Sequence, residues 1–250
     1  MEPVIETHGL TKRYGRQLAV DGLTLSVARG EIFGYLGPNG AGKTTNLLML
    51  LGLSEPTAGT ARVCGFDPTR QPLEVKRRVG YLPESVGFYD DMTAVQNLAY
   101  VGRLNGVKEA ALAGRVEKVL EQVGLQSEAR KRVGAYSRGM RQRLGIAEVL
   151  LKEPEVVFLD EPTLGLDPDG TQRMLDFVQG LSRSRGMTVF FSSHLLDQVQ
   201  RVSDRVGIML KGRLVAAGPI QELSRQVHGA DQETLEEIYM RYFREGSPAS

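Results

Sequence analysis

Cysteine is almost missing from this chain: Cys64 stands alone among 250 residues. No internal disulfide can form, a cysteine-based zinc site lacks its ligands, and a reducing compartment is the natural expectation. Long apolar runs are missing too. No stretch approaches the roughly 18 to 20 apolar residues that span a bilayer, and the opening MEPVIETHGL has no basic region followed by an apolar run. A membrane would therefore be served from its aqueous side. Charge of one sign is also lacking, since 31 Lys and Arg face 30 Asp and Glu for a formal charge of +1. Nucleic-acid binding leaves a basic stripe, so no nucleic-acid partner is expected. There is no internal repeat and no low-complexity segment.

What is present describes a folded soluble protein. With 41% hydrophobic residues, 250 residues suffice for one domain, or one domain carrying an inserted lobe. Extended, β-branched stretches at Val4 to Leu10, Leu23 to Val27 and Ile32 to Leu36 precede a helical stretch from Lys43 to about Leu51. Between about 85 and 152 the pattern turns helical, with Leu112, Val116, Val119 and Val123 at spacings of three and four. Strands then alternate with helices again: Val156 to Leu159, a helix after Pro168, Met187 to Phe191, and a helix from about Leu195. That alternation implies an α/β layer architecture with a parallel sheet. Asp204 to Leu210 and Arg213 to Ala217 read as two strands joined by Lys211-Gly212. Near the end, Leu235, Ile238, Tyr239, Tyr242 and Phe243 form an apolar stripe at helical spacing. Its opposite face is acidic, which fits packing on protein better than on a membrane surface.

Gly37-Pro38-Asn39-Gly40-Ala41-Gly42-Lys43-Thr44 satisfies G-x-x-x-x-G-K-[ST] between an expected strand and an expected helix. Glycines let successive backbone N–H groups turn towards phosphate oxygens, and the helix presents its positive N-terminus. Lys43 reaches the β and γ phosphates, and the Thr44 hydroxyl can ligate Mg2+. Alone, this loop leaves kinases, GTPases and ATPases open. Val156 to Leu159 is an apolar strand ending in Asp160-Glu161, which brings two carboxylates to the edge of the sheet where ligands of open α/β folds sit. Asp160 would hold Mg2+ and Glu161 would polarise the attacking water. Asp-Glu-Pro-Thr could instead cap the next helix. His194 follows another strand and two serines, again at a carboxyl edge.

Together these segments resemble the nucleotide-binding domain of ABC transporters, from about Val4 to Ala217. Gly37 to Thr45 resembles the Walker A motif, Val156 to Glu161 the Walker B motif with its catalytic glutamate, Leu164 to Asp167 the D-loop and His194 the H-switch. Tyr14, in Lys12-Arg13-Tyr14-Gly15, looks like the aromatic residue that stacks on adenine, with core packing as its other reading. Two motifs depart from the family. Glu84 follows Gly80-Tyr81-Leu82-Pro83 where a glutamine is usual, and Tyr136-Ser137-Arg138-Gly139-Met140 replaces Leu-Ser-Gly-Gly-Gln. Ser137 and Gly139 survive; Arg138 reads either as a solvated surface residue or as a charge offered across a dimer. Glu84 can still ligate Mg2+ or orient water, but it adds negative charge beside a triphosphate. Both departures are familiar in the exporter-associated group called ABC-2 type.

The resemblance implies an α/β fold: a P-loop NTPase core with a parallel sheet, an N-terminal antiparallel β subdomain and an inserted α-helical subdomain. The ABC ATP-binding domain would span 1–220, with the helical subdomain at about 85–152 and a C-terminal helical tail at 221–250. It further implies an ATPase in a head-to-tail pair, a homodimer being permitted by the complete motif set. Each ATP would lie between the Walker A loop of one subunit and Ser137, Gly139 and Met140 of the other, with Asp167 in the dimer D-loop. Thr44, Glu84 and Asp160 would hold Mg2+. The helical subdomain would meet an integral membrane permease through residues near Glu84 to Met92, placing the protein in the cytoplasm against the inner face of the cell membrane. A soluble ABC ATPase of DNA repair or translation is the alternative. Repair proteins of that kind place a long coiled coil between Walker A and signature, and translation-type members carry two cassettes; here only Thr45 to Tyr136 is available and the cassette is single. A non-hydrolysing nucleotide sensor is opposed by the intact Glu161 and His194.

Overall fold

The computed structural model describes residues 3–220, 222–223, 237 and 239–240. β1 (Pro3–Tyr14) and β2 (Gln17–Ala28) form an antiparallel hairpin in which Tyr14 faces Gln17 across the turn. β3 (Ile32–Leu36) is buried at every position and runs through the glycine loop into α1 (Lys43–Leu50). β4 (Ala58–Val63) returns to β1, giving a three-stranded antiparallel sheet in the order β2-β1-β4. α2 (Pro72–Arg78) leads directly into β5 (Val79–Leu82).

The helical stretch resolves into three helices. α3 (Ala94–Leu104) starts at a capping box, in which Thr93 accepts from the Gln96 amide and the Gln96 side chain accepts from Thr93. α4 (Glu109–Gln122) buries Leu112, Val116 and Val119 of the expected stripe, with Leu120 beside them, and the fourth member, Val123, is buried at its C-cap. α5 (Arg138–Leu150) is capped by Ser137. After it come β6 (Val156–Asp160), α6 (Pro168–Arg185), β7 (Thr188–Ser193) and α7 (Leu196–Val202). α6 has Asp167 as its N-cap, Pro168 in its first turn and left-handed Gly186 at its end, the usual chemistry for starting and stopping a helix. β8 (Arg205–Leu210) and β9 (Arg213–Gly218) close the sheet as a tight hairpin, whose two turn residues, Lys211 (φ 47°) and Gly212 (φ 84°), both have positive φ.

The second sheet runs β5-β6-β7-β3-β8-β9, parallel except for β9. Its central strands alternate between two cores. Phe33, Tyr35, Phe158 and Phe190 face α1 and the antiparallel sheet, with the Phe190 ring 5.0 to 5.6 Å from the other three. Ile32, Leu36, Val157, Leu159, Val189 and Phe191 face the helices. Leu98 of α3 and Leu112 and Val116 of α4 belong to that same helix-side core, so the helical region is packed continuously with the sheet. No helix among the described residues is long and apolar enough to cross a membrane. Of the apolar stripe expected in the tail, Tyr239 packs against the helix-side core; Leu235, Ile238, Tyr242 and Phe243 lie outside the described residues.

Candidate active site

The phosphate loop links the buried end of β3 to the first turn of α1. Two of its glycines are fixed by space, and one of them by backbone angle as well: a Cβ on Gly37 would lie 2.4 Å from the Met209 carbonyl oxygen, and one on Gly42 (φ +101°) 2.3 Å from that of Ala19. Gly42 is the N-cap of α1 and supplies no side-chain cap, so the first-turn amides remain available to an anion. Lys43 is only 6% exposed. Its Nζ donates to the carbonyls of Gly37 at 2.6 Å and Pro38 at 3.3 Å and stands 3.3 Å from Glu161 Oε1.

The carboxyl ends of β6 and β7 complete this half of the site. Asp160, 2% exposed, accepts from the Thr44 hydroxyl at 2.9 Å and from the Ser192 hydroxyl at 2.6 Å. Glu161 leaves the sheet with φ 49°, a left-handed conformation that costs a non-glycine residue roughly 1–3 kcal/mol and recurs at functional sites. Its amide donates to the Ser192 carbonyl at 3.1 Å, and its Oε2 lies 2.9 Å from His194 Nδ1. Oε1 is buried and faces Lys43 as an ion pair without hydrogen-bond geometry, the least satisfied atom of the cluster.

A cleft of about 600 Å3 opens over these groups. Pro38, Asn39, Gly40 and Gly42 to Thr45 line it, while Gly37 and Ala41 are buried behind. Tyr14 and Glu84 also line it, one at the end of β1 and the other just beyond β5. Glu84 is exposed; with Asp160 it helps push the Tyr81 hydroxyl up to about 12, burial being the larger cause. Sequence reasoning missed Ser192, which was read as lying beyond a strand ending at Phe191; pairing with Tyr35 of β3 extends β7 through Ser193. It also missed the Lys211-Gly212 turn, which lines the cleft and whose Gly212 amide donates to the Ala41 carbonyl at 3.0 Å. A Lys-Gly pair between two short strands was visible, but nothing in the sequence tied it to residue 41.

The remaining expected residues lie elsewhere. Ser137, Gly139, Met140 and Asp167 line a second cleft of about 520 Å3 that shares no lining residue with the first. Ser137 Oγ accepts from the Met140 amide at 3.3 Å, and Asp167 Oδ1 from the Gly170 amide at 2.6 Å. Arg138 is exposed, and its guanidinium lies beside Gly165, where a Cβ would meet Cζ at 2.2 Å. The Arg138 side chain thus reaches from the start of α5 over the segment before α6.

Similarity to known proteins extends over most of the chain. The profile of the ABC transporter family matches residues 20–164. The bacitracin transport ATP-binding protein BcrA of Bacillus licheniformis is 43% identical over 226 residues, covering 90% of this chain and 73% of that protein. The Nod factor export ATP-binding protein I of Ralstonia nicotianae is 40% identical over 229 residues, 92% of this chain and 71% of that one. A solved ATP-binding subunit of an ABC transporter superposes with a TM-score of 0.85 at 29% identity, covering 96% of this chain and 99% of its own.

Proposed function

The chain belongs to the ABC transporter family and is an ATPase, and from that premise we propose that two copies, set head to tail, drive export through a separate membrane permease. The observation that carries this reading is the division of the site: the phosphate-loop cleft and the signature cleft lie on one chain without a shared residue. A second copy turned through a twofold axis brings the missing half to each phosphate loop. There Ser137, the Gly139 amide and the N-terminus of α5 meet the γ-phosphate.

In this reading the loop amides and Lys43 bind the triphosphate, and Glu161 acts as general base on the attacking water. His194 positions Glu161 through the contact to Oε2. Lys43, drawn to phosphate, leaves Oε1 free to accept a proton. Thr44 and Asp160 offer an oxygen pair at the loop's edge, and Glu84 lines the same cleft. No group of three or more His, Cys, Asp or Glu gathers among the described residues. Such sparse oxygen ligation suits Mg2+, which keeps waters and phosphate oxygens as its other ligands. The ion would supply neutralisation of charge on the β and γ phosphates.

Export is supported by the Tyr-Leu-Pro-Glu and Tyr-Ser-x-Gly-Met variants and by the exporter relative above. Permease contact through the helical region, at the inner face of the membrane, is supported by apolar exposure at Glu84 to Met92: Tyr89 is 53% exposed and the Tyr100 ring 5.3 Å away is 39% exposed. Sedimentation of Glu161→Gln with ATP tests the pairing. The variant is expected to form a stable dimer with ATP and to remain monomeric without it; a monomer under both conditions sinks the head-to-tail reading.

A further inference from the structure

The end of β1 carries more than an aromatic ring. Lys12 Nζ lies 4.9 Å from the centroid of the Tyr14 ring and donates to the Glu55 carbonyl at 2.6 Å. The Tyr14 hydroxyl meets Ser54 Oγ at 3.5 Å, and the Arg13 amide donates to Thr57 Oγ1 at 3.0 Å. One segment, 54–57, therefore holds Tyr14 through its hydroxyl, through the neighbouring backbone and through the lysine laid on its face. That segment in turn hangs from α1, whose Leu48 carbonyl accepts from the amides of Leu53 and Ser54 at 2.8 and 3.1 Å. The other end of α1 is the phosphate loop.

Tyr14 is 49% exposed and lines the nucleotide cleft. A half-exposed tyrosine at a strand end has rotamer freedom to lose on stacking, which weakens any ligand that must order it. A cation fixed against the ring removes that freedom and withdraws electron density through it, while the other ring face remains for a base. We propose that Lys12 is a positioning residue for the nucleotide base, holding the Tyr14 ring as a platform at a set distance from the phosphate loop. Lys12 acts through Tyr14 and not on the phosphates. Stacking reads no base edge, so its contribution is the same for adenine and guanine nucleotides.

The inference rests on Tyr14 being the stacking residue, and the experiment separates the two. Dissociation constants for ATP, GTP and inorganic tripolyphosphate are measured by calorimetry on the full chain and its variants. Lys12→Met is expected to weaken ATP and GTP alike by about threefold, to leave tripolyphosphate unchanged, and to be rescued by Lys12→Arg. Tyr14→Ala is expected to weaken both nucleotides more, again sparing tripolyphosphate. If Tyr14→Ala leaves ATP affinity intact, the stacking reading fails and takes the role of Lys12 with it. If Tyr14→Ala weakens ATP while Lys12→Met does not, or weakens tripolyphosphate equally, the role of Lys12 alone is overturned.

Discussion

Around the phosphate loop the functional side chains bind one another, whereas around the signature segment they bind the amides of their own helix starts. Thr44, Asp160 and Ser192 form one hydrogen-bonded chain, and Lys43, Glu161 and His194 form a second, charged one. Ser137 and Asp167 each accept from an amide three residues on. Buried charge has to be paired, so folding itself sets the first half. The second half is two helix N-termini at a surface, with donors that a second molecule can use. One half is built to hold its geometry, the other to meet something.

The largest expected effect breaks the comparison by mixing. Glu161→Gln and Ser137→Ala should each lower turnover by about a hundredfold or more, one through the base and the other through a transition-state donor. Mixed in equal amounts before ATP is added, they should recover about a quarter of wild-type turnover, because half the pairs are mixed and each keeps one intact site of two. Phosphate release measures this, and no recovery would place both residues in one site of one chain. Next in size, Lys43→Met should destabilise the fold by about 3 kcal/mol in denaturant titration, since it strands the buried Glu161 carboxylate; adding Glu161→Gln should restore most of the loss. Ser137→Ala, which removes a cap on an exposed helix start, should cost about 1 kcal/mol and leave ATP affinity of the monomer unchanged. The smallest effect sharpens the least tied group of the first half. Glu84→Gln should raise the Mg2+ concentration needed for half-maximal turnover by about threefold, a shift on the scale of one weakly screened charge; an unchanged Mg2+ dependence removes Glu84 from metal binding.

Much of the first half was legible because its chemistry is local in sequence. The phosphate loop, the Asp160-Glu161 pair and His194 each sit at the end of an apolar run that announces a buried strand, and β3 begins and ends where the pattern places it. Elements that depend on partners were not legible. β4 has three exposed residues before its first buried one, and a glycine among them, so only its pairing with β1 makes it a strand. α2 has seven residues and buries only Val75, too little for a helical period to register. Ser192 looked like the start of a loop because the strands that keep it in β7 are distant in sequence: it pairs with Tyr35 of β3 and Asp160 of β6. Nor was the place of Arg138 against Gly165 legible, because nothing in the sequence brings those two residues together.

The Lys211-Gly212 turn has a consequence for how the molecule opens. The Gly212 amide donates to the Ala41 carbonyl, and the Gly212 carbonyl accepts from the Asp21 amide at 2.8 Å. Phosphate loop, β8–β9 turn and β2 are thereby joined by two backbone bonds in series, and the loop cannot leave its place without releasing one of them. Exchange of the Asp21 and Gly212 amides with deuterium should then slow together when nucleotide is bound, although Asp21 does not itself line the cleft. The antiparallel sheet, whose β1–β2 hairpin already borders the cleft, becomes a reporter of its occupancy.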